Sequence, residues 1–512
     1  MINITGNKNP LFLLSILSII VFCLLIFSST VKPYGFFIDE LYFIACSKRL
    51  AWGYIDQPPL SLLLLAPVVK IFGPNIIAIR VLPALCCAST VFITGLLVKK
   101  LGGSLISMLL ASFSVALLPI FLVFTSFYSM NAYEPLLVAS VLYFLVSMIQ
   151  EDDPKYWIHV GILSGIALEM KHTFVLYGFA LILGLLIYSK RKLLFNRWIL
   201  WGGLACFLLV LPNLVWQVAN DFPSLELYRN SFSSKNIEKR YLQVILEQVF
   251  YTNPAGFPLW ITGLIALFFR HGKPYRLMLF GYLFLITVMV LGHSSRPDRI
   301  ASIYIFFLAF RAITIENQLK PFWRKITQSS IAVMLLIGGV LLTPVFCPIL
   351  PPQQLKKHIN ALGVKIEIEE GKKGEPIPQW IADRLGWKEM ASAVSSVYMS
   401  LPESEKRNCV IVSDSYGPAG AMEIYAGEFG LPPVYGTHNS FHSWGPPSDT
   451  VKTYIGIEID ADGARSLFES VEVASVYYCP DCTRPQREVP IYVMRNPVIS
   501  VEKMWPEFKE YH

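Results

Sequence analysis

The feature that most constrains this chain is a succession of eleven apolar runs, each close to the length a helix needs to cross a bilayer, about 17 to 25 residues. They are Leu11–Phe27, Ile76–Val98, Leu105–Phe124, Leu136–Met148, Trp157–Met170, Thr173–Tyr188, Trp198–Val218, Pro254–Phe269, Leu277–Leu291, Ile300–Ile313 and Ile331–Phe346. A water-soluble fold has no use for so many. Only 15% of the 512 residues are charged and 54% are hydrophobic, where a soluble chain carries about a quarter charged. The deficit is confined to residues before about 350, so two regions with different solvents are expected. Residues 1–349 would form a multi-span membrane domain with a large outer loop at 30–75, and 350–512 a soluble domain. Lys8 alone precedes the first run, which is too long for a leader's apolar core and lacks a small-residue cleavage site, so it reads as a retained span.

The net charge of +7 would suit a nucleic-acid partner if it were gathered in a patch. It is instead spread in short clusters between the apolar runs, which is how loops orient in a membrane, and nucleic acid is excluded as a partner. Lys99 and Lys100, Lys190 to Lys192 with Arg197, Arg270 with Lys273 and Arg276, and Arg311 with Lys320, Arg324 and Lys325 fall on one side of the expected spans. That side is the cytoplasm by the positive-inside rule. Eleven crossings from a cytoplasmic N-terminus then put the segment 30–75, the loop 220–253 and the C-terminal domain outside.

Within the first outer loop, Glu40–Cys46 and Leu60–Val69 are apolar but too short to span, and read as interfacial helices. The C-terminal domain alternates. Helices are expected at Trp380–Leu401, Ala419–Glu428 and Ala461–Ser470, and strands at Cys409–Val412, Tyr454–Ile457, Val471–Tyr478 and Pro490–Met494, a small α/β layer. Cys479 and Cys482, with Cys409, are read as a disulfide or free thiols rather than zinc ligands, since a structural zinc site needs about four donors.

Chemistry concentrates in the first outer loop. Asp39 and Glu40 sit between Phe36-Phe37-Ile38 and Leu41-Tyr42-Phe43, an apolar setting that favours the protonated carboxyl and so suits a general base. The plain alternative is that Asp39 caps the helix that follows. Asp56 stands before Pro58-Pro59 on the same face, a second carboxylate able to take part in acid–base work or to offer oxygen to a divalent cation such as Mg or Mn. His438 and His442 have ligand spacing only if helical, and the glycine and prolines around them read as a turn. Ser413–Gly417 follows a strand as a ligand loop would, without the glycine pattern of a nucleotide site.

These residues carry a resemblance. Asp39-Glu40 soon after the first span, Gly53-Tyr54-Ile55-Asp56-Gln57-Pro58-Pro59-Leu60, Tyr128–Pro135, Met170-Lys171-His172, Leu211–Gln217, and Gly430–Tyr435 with Thr437–Ser440 and Trp444–Pro446 resemble the GT-C membrane glycosyltransferases. Within them the likeness is to the protein mannosyltransferase and aminoarabinose transferase group, family 39 or RgtA/B/C/D-like. It implies an α-helical polytopic membrane protein, a GT-C type bundle with a small extracytoplasmic α/β domain, in the inner membrane of a bacterium. The implied activity is inverting transfer of a sugar from a polyprenyl-phosphate carrier to a hydroxyl of a lipid, polysaccharide or protein acceptor on the outer face. Asp39 would be the base, with Glu40 and Asp56 beside it, and Asp56 would help hold the acceptor or a divalent cation (Mg, Mn or Zn). Gln57 stands where related transferases carry Lys; Asn131 and Glu134 would add polar contacts, although Asn131 could equally cap a helix.

A departing phosphate needs fixed positive charge. Lys171, Arg229, Lys235, Lys239, Arg240, Arg296 and Arg299 lie on the expected outer side, and Arg296 and Arg299, in the tight Ser294–Arg299 connection, are the preferred phosphate ligands. A transporter or lipid flippase with an outer accessory domain is the rival, predicting discontinuous helices with charges near mid-bilayer. A membrane scaffold is a third reading, and it predicts indifference to Asp39 and Asp56.

Overall fold

The computed structural model describes residues 9–187, 195–234, 239–293, 297–363 and 377–511. Every one of the eleven apolar runs contains helix in its described residues, but the helices are not equally long. Among the described residues, seven helices are long and apolar enough to cross a membrane: Pro10–Ser28, Ile76–Lys100, Met130–Glu151, Arg197–Ala219, Arg270–Leu291, Pro297–Gln318 and Pro321–Phe346. Leu105–Ala116 and Pro119–Thr125 make an eighth if their 62° bend is counted as one span. The break falls before Pro119, whose ring cannot continue the preceding turn. Tyr156–Met170, His172–Ile187 and Phe257–Ala266 are shorter apolar helices. At 1.5 Å per residue, ten residues rise about 15 Å, half of the ~30 Å apolar thickness, so where eleven full spans were expected, seven or eight helices reach spanning length among the described residues.

The chain divides into two compact units. The first comprises Met1–Thr30, Arg80–Val215 and Ile237–Ile349, the second Val31–Ile79, Trp216–Asn236 and Leu350–His512. In the first unit small residues set the packing: a Cβ on Gly161 would fall 2.0 Å from the Gly202 carbonyl oxygen, so the two helices touch backbone to backbone. The Pro297–Gln318 helix is enclosed, with Tyr304, Phe306 and Phe307 wholly buried. Arg197–Ala219 instead exposes Leu200, Trp201, Leu204, Phe207 and Leu208. So large an apolar face suits lipid and not water.

The second unit joins the Ile38–Ser47 and Leu60–Phe72 helices to the C-terminal α/β layer. Its five strands, β1 (Cys409–Ser413), β2 (Val434–Gly436), β3 (Thr453–Ile457), β4 (Phe468–Tyr478) and β5 (Glu488–Pro497), lie in the order β2-β1-β3-β5-β4. β1 runs parallel to β2 and β3, and β5 runs antiparallel to β3 and β4. The strand β2 escaped the sequence pattern because three residues give no alternation to read. The helix expected over Trp380–Leu401 is instead two, Gln379–Ala382 and Trp387–Ser400. Gly386 divides them with φ +81°, and a Cβ there would meet the Tyr477 hydroxyl at 2.4 Å. Cys479 and Cys482 form a disulfide, while Cys409 is a buried free thiol.

Candidate functional site

The second unit holds Asp39, Glu40, Asp56 and Gln57. The Ile38–Ser47 helix starts because Phe37 is extended (ψ 150°) and Glu40, at the third helical position, turns back to accept the Phe37 N–H at 2.8 Å. That satisfies one of the four donors a helix start leaves open. Asp39 is therefore not the cap. Glu40, 0% exposed, takes the capping task, which corrects its expected place among the acid–base groups.

Asp39 is partly buried, and its Oδ1 accepts a 2.9 Å hydrogen bond from the Tyr416 hydroxyl. Tyr416 begins the Tyr416–Phe429 helix of the α/β layer, and two glycines let that helix approach closely. A Cβ on Gly417 would press on Ile38 at 2.7 Å, and one on Gly420 would lie 2.8 Å from the Leu41 backbone. Asp56, also partly buried, accepts from the Tyr42 hydroxyl at 2.7 Å through Oδ1. Tyr42 is 2% exposed and in turn accepts from the Ser440 hydroxyl at 2.7 Å and the Ser440 N–H at 3.3 Å. Burial first, and then the charge of Asp56, pushes the Tyr42 hydroxyl well above its ordinary range. It stays protonated and donates to the carboxylate. The rings of Tyr42 and Tyr416 lie 5.2 Å apart, so both carboxylates hang on one tyrosine pair.

Tyr42, Tyr416 and Ser440 were not read as site residues. Tyr42 is hidden in an apolar helix stretch, and only the loop-like Ser413–Gly417 pattern pointed toward Tyr416. Gln57 is buried: its Oε1 accepts the Ser61 hydroxyl at 3.2 Å and its Nε2 has no partner among the described residues. His442, read as part of a turn, lies in the short Ser440–Ser443 helix, where its Nε2 is 2.8 Å from the Trp505 carbonyl oxygen.

Asp56 Oδ1 is taken by the Tyr42 hydroxyl, and no three His, Cys, Asp or Glu side chains gather to hold a metal ion among the described residues. A divalent cation usually draws on several carboxylate or carbonyl oxygens. The residues at Asp56 do not by themselves fit one.

The first unit holds the other candidates. Ser129, not Asn131, caps the short Met130–Tyr133 helix, its hydroxyl accepting the Asn131 N–H at 3.3 Å. The Asn131 side-chain oxygen is buried without a partner among the described residues. Lys171 sits in extended backbone (φ −155°) between the Tyr156–Met170 helix and the turn that follows. Its Nζ is 3.1 Å from Glu134 and 3.6 Å from Asp298, both 6% exposed. Tyr177 and Ser302 also donate to Glu134 Oε1, each at 3.1 Å. A lysine held between two buried carboxylates has its charge already neutralised, so the structure corrects Lys171 from phosphate ligand to partner in an ion cluster. Arg299 follows Asp298 in the short Pro297–Ile303 helix and is partly exposed, while Arg296 lies outside the described residues.

Comparison with known proteins gives a local family likeness and a shared fold. Residues 56–216 match the model of the family described as dolichyl-phosphate-mannose-protein mannosyltransferase. Two crystal structures of ArnT from Cupriavidus metallidurans share the fold at a TM-score of 0.60. The one bound to undecaprenyl phosphate is 13% identical, and the one in the apo state 14%. Each comparison covers 93% of this chain and 97% of the other. The archaeal oligosaccharyltransferase AglB from Archaeoglobus fulgidus is more distant, with 11% identity, a TM-score of 0.49, and coverage of 87% of this chain and 69% of that one. No curated protein matches in sequence. Over residues 56–216 the chain is thus similar to that mannosyltransferase family, and along nearly its whole length it has the fold of ArnT, with apolar helices of spanning length and a small C-terminal sheet domain. Its likeness is to the protein mannosyltransferases and the aminoarabinose transferases.

Proposed function

We propose that the chain moves a sugar from a polyprenyl-phosphate carrier to an acceptor hydroxyl in one displacement, on the outer face of a bacterial inner membrane, with the C-terminal domain outside. The observation that carries this reading is the Asp39 carboxylate held by the Tyr416 hydroxyl. A carboxylate oriented by a hydroxyl donor is a suitable general base. The acceptor oxygen attacks the anomeric carbon, its proton passes to Asp39, and the bond from that carbon to the phosphate oxygen breaks. Attack opposite the leaving group inverts the anomeric centre. Asp56, fixed by Tyr42, orients the acceptor. Arg299 and Arg296 are the candidates to neutralise the released lipid phosphate. The ArnT fold relative bound to undecaprenyl phosphate supports a lipid-linked donor of this kind.

The flippase reading draws on the helix break at Lys171 and the ion cluster around it. The two are separated by purified protein in detergent with radiolabelled polyprenyl-phosphate sugar. A transferase consumes the donor and yields a glycoside of inverted configuration by NMR. A flippase leaves it chemically intact, and retention of configuration would defeat single displacement.

A further inference from the structure

A cavity of about 380 Å³ in the second unit lies outside the assignments above. Three stretches far apart in sequence wall it: the loop at 51–55, the segment 216–226, and the C-terminal residues 440–444 with 509–511. Its volume falls within the ~300 to 1,000 Å³ of small-molecule sites.

The lining decides the class of occupant. Trp216, Trp444, Tyr54 and Tyr511 supply aromatic surface, and such faces pack against the C–H groups on one side of a sugar ring. Between them stand Asn220, Asp221 and Ser443, which can meet ring hydroxyls that would be costly to bury unbonded. Asn220 and Ser443 already donate to the Trp216 and Ser440 carbonyls, at 2.8 Å each, but a purely apolar acyl chain would leave their spare acceptor capacity and the Asp221 carboxylate unmet. Charge narrows the choice further: Lys509 is paired with Glu226 at 2.8 Å, whereas the Asp221 carboxylate has no partner among the described residues. The cavity thus carries net negative charge and repels a phosphorylated or acidic sugar.

One set of contacts ties the cavity to the chemistry, and the backbone beside it is strained. Ser440 lines it and hydrogen-bonds Tyr42, which holds Asp56, and Ile55 of the wall adjoins Asp56 in the chain. Asp221 and Phe222 are consecutive non-glycine residues at φ +59° and +53°. Such left-handed backbone costs about 1 to 3 kcal/mol per residue and gathers at ligand sites.

We infer that this cavity is the acceptor subsite, and that the acceptor presents a neutral or amino-bearing saccharide whose free hydroxyl is led past Ser440 toward Asp56. The inference rests on the glycosyl-transfer reading, so its test is binding without donor. The full chain is placed in nanodiscs, because glycosidic detergents would compete, and titrated with maltotriose, chitosan trimer and a maltotriose phosphate. Saturation-transfer NMR and tryptophan fluorescence are read together. Saturable binding of one or both uncharged or amino probes is expected, at least fivefold tighter than the phosphate. It should weaken at least fivefold in Asp221→Asn, a residue type that tolerates the left-handed conformation, and in Trp216→Phe. No saturable binding, equal binding of the phosphate, or binding unmoved by both variants would overturn it. Donor consumption is assayed separately: consumption without saccharide binding sinks the subsite alone, and binding without consumption sinks the transferase reading.

Discussion

The two groups of carboxylates in this molecule are held in opposite ways. Glu134 and Asp298 lie buried against Lys171, at 3.1 and 3.6 Å. Asp39 and Asp56 are only partly buried, and each accepts from a tyrosine hydroxyl, at 2.9 and 2.7 Å. An ion cluster spends the charge of its members on one another, and breaking it is costly because a buried charge is left over. A hydroxyl orients a carboxylate and leaves it negative, able to take a proton. The first arrangement builds a scaffold and the second builds a base.

That contrast is sharpened first by removing the lysine. Lys171→Met should destabilise the protein by about 3 to 5 kcal/mol, since two close carboxylates lose their common counter-charge. A thermal melt in detergent checks it, and an unchanged melting temperature would put Lys171 outside the scaffold. Next, Gly420→Val drives a branched side chain into the Leu41 backbone and should cost about 1 to 3 kcal/mol. It should also lower transfer by shifting the helix that carries Asp39. Tyr42→Phe should cost about 1 to 3 kcal/mol by leaving Asp56 Oδ1 and the buried Ser440 hydroxyl short of a partner. Its melting temperature and transfer rate should fall together.

The smallest effect concerns the sheet domain. Burial raises the Asp414 carboxyl above its usual range, and burial then Asp414 raises Glu510. A carboxyl whose pKa is higher folded than unfolded favours the fold at low pH. Its contribution is lost as pH rises from about 4, the ordinary unfolded value, through the raised folded one. Asp414→Asn should therefore flatten, but not abolish, the fall in melting temperature over that window.

The spans were legible because hydropathy writes itself along the chain, and Asp39 and Asp56 because charge is conspicuous beside apolar residues. The short helices were overcounted as full spans, since an apolar run does not announce how far its helix extends. The partners of the carboxylates were harder to see. Tyr416 and Ser440 lie 377 and 398 residues from the side chains they hold, and no local pattern encodes such a pairing. Glu40 misled because a capping carboxylate and a catalytic one are the same residue type. Lys171 misled because only the folded chain brings Glu134 and Asp298 to it.

The most direct test of the account compares Asp39→Asn with the unaltered protein, measuring transfer from a polyprenyl-phosphate sugar beside the thermal melt. Asparagine keeps the shape and can still accept from Tyr416, but it cannot take the proton, so the rate should fall by about 10² to 10⁴ with the melt unmoved. Transfer at the parent rate would contradict the assignment of Asp39 as the base.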